Sequence, residues 1–260
     1  LDVLLEQPHA DSDRVAVAGL SGGGWQTIFI SSLDTRVTLA NPVAGYSSFL
    51  TRARHFQDLG DSEQTPSDLA TVVDYADLTA MMAPRPLLLT YNTKDNCCFR
   101  ADHALQPLLD AATPVYKLLG APDNIENHQN IVPGDHNFGQ DNREALYRML
   151  GKHFFPNDAA YQRAEIPSPG EIKNTNQLFI PLPANNASLN SIAAELAKSL
   201  PKFDPIPDDP AAATKRRDKE RLRLRKIVRA SDLAIDAKNT GIAEQNGIWS
   251  SFWQLNLGGE

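Results

Sequence analysis

Cysteine is nearly absent from the 260-residue sequence, and its two copies, Cys97 and Cys98, are adjacent. They cannot staple distant segments, and they leave the redox compartment open. Long apolar runs are missing too: none approaches the length that spans a bilayer. The opening Leu1-Asp2-Val3-Leu4-Leu5-Glu6 has neither a basic n-region nor an uninterrupted apolar stretch. Basic excess is absent as well. With 25 Lys and Arg against 32 Asp and Glu, a net charge of −7 and a pI near 5.4, the balance is the reverse of what a polyanion would select, which argues against nucleic acid and anionic membrane as partners. No Cys/His/carboxylate spacing resembles a zinc or two-metal site, the neighbours Asp102 and His103 included, so no metal and no cofactor is expected. There is no initiator methionine, and the chain reads as a piece or processed form whose original N-terminus is unseen. What is present is a hydrophobic fraction of 42%, enough for a sizeable core in one or two domains of a soluble globular protein. Its compartment stays open, a periplasmic or secreted location included.

The most informative stretch is Arg14-Val15-Ala16-Val17-Ala18-Gly19-Leu20-Ser21-Gly22-Gly23-Gly24-Trp25-Gln26-Thr27. A short β-branched run ends in Gly-x-Ser-x-Gly and passes into an apolar pattern at helical spacing, the strand, sharp turn and helix of a nucleophile elbow. Ser21 at the tip is expected in a strained backbone conformation, with Gly19 and Gly23 avoiding a collision with the adjoining strand or helix. The Gly22 and Gly23 amides open the helix and point to where negative charge would form on an attacked carbonyl. The plainer reading is a glycine-rich loop with an incidental serine; the strand-to-helix context favours the elbow.

Along the chain, residues 1–12 read as the end of a helix and a polar turn. A strand is expected at Val15–Ala18, a helix at Gly24–Leu33 and a second strand within residues 37–45, which makes a βαβ unit and hence a parallel sheet. Residues 47–83 show helical pieces and no strand; there Arg52, Arg54, His55 and Phe56 read as solvated helix faces. After Ala83-Pro84-Arg85-Pro86, the run Leu87-Leu88-Leu89-Thr90-Tyr91 is a strand buried on both faces. A helix is expected at 101–112, a short strand at Val115–Leu119, a polar loop at 124–137 and an amphipathic helix at 144–155.

Ser21 needs a base, and the base needs an acid to fix its tautomer. Asp95 follows a buried strand, where a short carboxylate can project over the sheet edge; Asp74 and Asp77 precede that strand, and Asp102 falls in the next helix. Among six histidines, His136 lies in Pro133-Gly134-Asp135-His136-Asn137-Phe138, between the last strand and the closing helix. His128 in the same loop is its competitor, while nothing in its Asn- and Gln-rich surroundings positions an imidazole.

Together, Gly19-Leu20-Ser21-Gly22-Gly23, Ala83-Pro84-Arg85-Pro86-Leu87-Leu88-Leu89, Asp95 and Gly134-Asp135-His136-Asn137-Phe138 resemble the α/β-hydrolase superfamily over about residues 1 to 156. The branch is that of acetyl-xylan-esterase-like, dienelactone-hydrolase-like and prolyl-oligopeptidase-like enzymes. The resemblance implies a partial α/β-hydrolase parallel sheet flanked by helices, with Ser21 as nucleophile, His136 as base, Asp95 as acid and the Gly22 amide as one oxyanion donor. It implies a serine hydrolase that cleaves carboxylic esters through an acyl-enzyme, on a small-molecule or carbohydrate substrate, with acetyl or other acyl groups on a carbohydrate as the expected target. A peptidase of the prolyl-oligopeptidase-like type and a non-catalytic binding module are the alternatives. The first strands and the second oxyanion amide of such a domain are expected before Leu1.

From residue 157 the pattern changes to a smaller irregular region, 157–260. Ile166-Pro167-Ser168-Pro169-Gly170 reads as a boundary, 178–183 as a short edge strand, Ser188 as the cap of a helix to Leu200, and 201–210 as a proline-rich linker. Lys215–Arg229 carries nine basic and two acidic residues, read as a solvated helix against an acidic partner domain more than as a nucleic-acid patch. Trp249–Leu257 alternates like a strand, expected to pair with the 178–182 edge or with material outside the sequence. Asn186-Ala187-Ser188 fits a glycosylation sequon.

Overall fold

The computed structural model describes residues 1–60, 64–66, 68–202 and 204–258. Contacts group the chain into two compact units, 1–174 and 175–260. In the first, a four-residue helix α1 (Asp2–Leu5) precedes β1 (Ala16–Leu20), α2 (Gly22–Leu33), β2 (Leu39–Val43), α3 (Phe49–Arg54), α4 (Tyr75–Ala80), β3 (Leu87–Asn92), α5 (Ala101–Leu118), β4 (Ile125–Asn130) and α6 (Gln140–His153). The four strands form one sheet in the order β1-β2-β3-β4, every pair parallel. Leu20, Val43, Thr90 and His128 stand in one row across it, at the carboxyl end from which the connections to α2, α3, α5 and α6 leave.

Alternation along the inner strands divides the core. Ala40, Leu87, Leu89 and Tyr91 face one side, where Ile28 of α2, Leu78 of α4 and Leu105, Leu108 and Tyr116 of α5 cover them. Leu39 and Leu88 face the other and meet Ala145, Leu146 and Met149 of α6. Burying each leucine contributes about 1.5–3 kcal/mol, so these layers hold the loop ends in place. Helices on both faces of a parallel sheet are the architecture expected from the sequence.

Three local expectations are corrected. Val115–Leu119 is not a strand: α5 runs through Pro107 and Pro114 to Leu118. Its buried face, Ala101, Ala104, Leu105, Leu108, Ala112 and Tyr116, keeps helical spacing past the prolines, and the Tyr116 hydroxyl donates to the Arg85 carbonyl at 2.7 Å. The polar loop expected at 124–137 begins instead with β4, paired with β3 from Leu87↔Ile125 to Asn92↔Asn130. Arg52 is not solvated. It is 2% exposed, stacks on Tyr75 at 4.5 Å and donates to the carbonyls of Ser47 and Gln64, whereas Arg54, His55 and Phe56 are exposed. Within residues 47–83, positions 61–63 and 67 lie outside the described residues; elsewhere there α3, α4 and short 3-10 turns at Phe56–Leu59 and Leu69–Thr71 are found.

The second unit holds α7 (Thr175–Leu178), α8 (Leu189–Ala197), α9 (Pro210–Ile227), β5 (Ile235–Gln245) and β6 (Ile248–Leu257). Ser188 caps α8, accepting from the Ser191 amide at 3.0 Å, and Asp209 caps α9, accepting from Ala212 at 2.7 Å. The expected edge strand at 178–183 is absent: α7 ends at Leu178 and no strand follows it there. The terminal strand pairs antiparallel with β5 instead, a segment whose run of exposed polar residues hides its strand character. Of the linker expected at 201–210, residue 203 lies outside the described residues, and 204–209 has neither helix nor strand. No helix among the described residues is long and apolar enough to cross a membrane.

Candidate active site

β1 delivers Ser21 one residue past the common row. The serine sits at φ 57°, ψ −120°, in left-handed backbone space that a non-glycine residue occupies only under constraint. Its amide donates to the Val43 carbonyl at 2.9 Å, and its own carbonyl accepts from Trp25 at 2.9 Å, so β2 and the first turn of α2 hold the tip from both sides. A Cβ on Gly19 would lie 2.6 Å from the Gly23 carbonyl, which excludes any side chain there. The collision expected at Gly23 falls elsewhere: a Cβ there meets nothing within 4 Å, while one on Gly24 would come within 2.8 Å of the Val43 carbonyl oxygen. Gly22 is the first residue of α2, where a backbone N–H has no acceptor within the helix.

Asp95 lies five residues past the row on β3, with a fully buried side chain. One carboxylate oxygen accepts from the amides of Cys97 at 3.0 Å and Cys98 at 3.1 Å; the other accepts from Asn92 Nδ2 at 3.2 Å. His136 Nδ1 lies 3.0 and 2.9 Å from the two oxygens. Burial works to raise the Asp95 carboxyl, but the His136 ring, the Cys97 amide and Asn92 outweigh it and hold the group below its ordinary value. An ionised Asp95 accepting from Nδ1–H leaves the lone pair on Nε2, the tautomer that a base needs. Among the described residues no hydrogen bond joins His136 to Ser21; catalytic bonds commonly tighten only when substrate is bound.

The loop that carries His136 is drawn back over β3 by asparagines. The His136 amide donates to Asn96 Oδ1 at 3.1 Å, Gly134 donates to Asn130 Oδ1 at 2.8 Å, and Asn142 Nδ2 reaches both Asn92 Oδ1 at 3.0 Å and the Asn137 carbonyl at 2.9 Å. Phe138 packs beneath, against the α6 side of the core. None of these asparagines stands out in the sequence; the one signal is that Asn92 and Asn130 close adjacent strands.

The competitors are placed elsewhere. His128, contrary to expectation, is positioned: its Nε2 lies 2.9 Å from Asp141 Oδ2. It stands in the Leu20 row, however, three strand spacings or about 14 Å from β1. That is far beyond the about 3 Å at which a base meets a hydroxyl. Asp74 caps α4 and accepts from the Phe49 amide, Asp77 completes that capping box, and Asp102 pairs with Arg100.

A parallel sheet covered by helices on both faces, with a strained serine elbow after one strand and an Asp and a His in the loops after later strands, defines the α/β-hydrolase fold of the first unit. No family model matches the chain. It is similar to 4-O-methyl-glucuronoyl methylesterase 1 of Wolfiporia cocos, 26% identical over 190 residues that cover 61% of this chain and 44% of the relative. Among solved structures it is similar to Methylesterase BT1017, with 26% identity, 62% of this chain and 34% of that one covered and a TM-score of 0.49. A family 15 carbohydrate esterase, a glucuronoyl esterase from Caldicellulosiruptor kristjansonii, follows with 18% identity, 62% and 49% covered and a TM-score of 0.44. The chain thus spans less than half the length of these relatives.

Proposed function

We propose that residues 1–156 carry the catalytic residues of a serine hydrolase that cleaves carboxylic esters of carbohydrate, with 157–260 an accessory region. The observation that carries the reading is the Asp95–His136 pair, held in the loops beyond β3 and β4, at the edge of the sheet where the Ser21 elbow emerges. Ser21 Oγ attacks the ester carbonyl as His136 Nε2 takes its proton, while Asp95 offsets the charge on the ring. The Gly22 amide donates to the oxyanion, and the alcohol leaves with the proton from His136. Water, deprotonated by the same nitrogen, then frees the acid and restores the serine. The name of the Wolfiporia cocos relative favours a substrate in which the sugar supplies the acid, a methyl ester of a glucuronic-acid-type carboxyl, over an acyl group on a sugar hydroxyl.

The test compares methyl glucuronate, an acetylated xyloside and a proline amide as substrates. Expected is methanol release from the first, faster than acetate release from the second, with the amide uncut; faster amide cleavage would establish the peptidase reading instead. A fluorophosphonate should label the native chain and fail to label Ser21→Ala. Equal labelling of both would remove Ser21 from the mechanism.

A further inference from the structure

The carboxylate that orients His136 also gathers two thiols beside it. Because Asp95 accepts from the backbone amides of both Cys97 and Cys98, the chain turns so that Cys98 Sγ lies 3.3 Å from Cys97 Sγ. A ring nitrogen of His136 and both sulfurs all lie within 4.8 Å of one another. Cys97 is exposed and Cys98 buried, so an ion could arrive from solvent at the first and be enclosed at the second. Neither cysteine is used in the ester chemistry above, and the 37 residues between Cys98 and His136 are bridged only by the fold.

We propose that Cys97, Cys98 and His136 form a binding site for a thiophilic divalent cation of the zinc class, and that filling it withdraws His136 from catalysis. Zinc bonds of about 2.3 Å to sulfur and about 2.0 Å to nitrogen place tetrahedral ligands about 3.5–3.8 Å apart. The cluster reaches that spacing by moving its atoms about 1 Å or less. Two sulfurs and one imidazole select soft or borderline ions over magnesium or calcium, and three protein ligands leave a fourth position for water. A neutral imidazole has one lone pair. An ion that takes it leaves none for the Ser21 proton, so metal binding and ester cleavage exclude each other. The inhibitory half rests on the proposed function; the binding half does not.

The binding half is read by titrating the full chain, reduced with a phosphine, with Cd²⁺ and following the ultraviolet sulfur-to-cadmium charge-transfer band. One ion per chain is expected, with affinity at least tenfold weaker in Cys97→Ser and in His136→Ala. Absence of the band, or equal affinity in all three proteins, would overturn the site whether or not the chain hydrolyses esters. For the inhibitory half, the Zn²⁺ concentration that halves methyl glucuronate hydrolysis should rise at least tenfold in Cys97→Ser, each variant being measured against its own uninhibited rate. Cys97 is exposed, so this variant keeps the fold and the backbone donors to Asp95. Full activity with the site saturated by metal would overturn the exclusion.

Discussion

His136–Asp95 and His103–Asp58 are near twins at close range. The ring-to-carboxylate distances are 2.9 and 3.0 Å, the histidines are 18% and 16% exposed, and both aspartates are fully buried. Their surroundings separate them. His103 Nδ1 also lies 2.8 Å from Asp102, so carboxylates face both ring nitrogens, and the ring stacks on His55 at 3.9 Å. Asp58 accepts from the Phe99 amide as well, so that pair ties the 56–59 turn to the start of α5. His136 instead keeps one nitrogen clear of Asp95, in a loop drawn back over β3. A His–Asp contact therefore says little about chemistry until its place on the sheet is known.

The largest test of this contrast is in turnover. His136→Ala should lower kcat on an ester about 10³-fold or more, whereas His103→Ala and His128→Ala should stay within about tenfold. A larger loss in either of the latter would reassign the base. The second test is in stability. Asp58→Ala strips a buried amide and an imidazole of their acceptor and should cost about 2–4 kcal/mol in urea unfolding, with kcat of the folded fraction little changed. Loss of activity without loss of stability would make the pair functional. The smallest test uses the third pair. Asn130 lowers the Asp141 carboxyl below its ordinary 3.8, against some burial, and His128 adds to it. A lowered carboxyl contributes stability above its ordinary value and loses it as the pH falls through the folded one. Asp141→Asn should therefore cost up to about 1 kcal/mol at neutral pH, and the difference from wild type should begin to narrow below about pH 4 and shrink further as the pH falls through the lowered folded value. A gap undiminished at pH 2 would show the carboxylate charge to be irrelevant.

Much of this arrangement is legible in the sequence wherever a residue's neighbours along the chain dictate its state. The elbow, the inner strands and α6 announce themselves by β-branched runs, glycine spacing and helical periodicity. β4 does not, because Ile125-Glu126-Asn127-His128-Gln129-Asn130 is an outer strand of the four and its pattern is mostly polar, with Asn127 and Gln129 facing water. The second half of α5 is obscured by Pro114 and by Val115-Tyr116, residues that favour strands locally but here continue a helix face. Arg52 looks like a surface cation until the fold supplies aromatic rings and carbonyls around it. Asp95 and His136 could be chosen by position, but the asparagines that brace them could not. Nor could the approach of the thiols to His136, which comes from a distant part of the chain.

The row formed by Leu20, Val43, Thr90 and His128 has a consequence for heat. Ser21 leaves the sheet one residue past it, Asp95 five and His136 eight, so the tether lengthens as the strand lies farther from β1. A longer tether samples more conformations, and this one is fastened mainly by amide-to-amide contacts at its base, each contributing about 1 kcal/mol. On warming, the imidazole should drift from its station while the sheet and the elbow are still intact. Hydrolysis would then fade several degrees below the melting transition, and reversibly, since nothing in the core has moved.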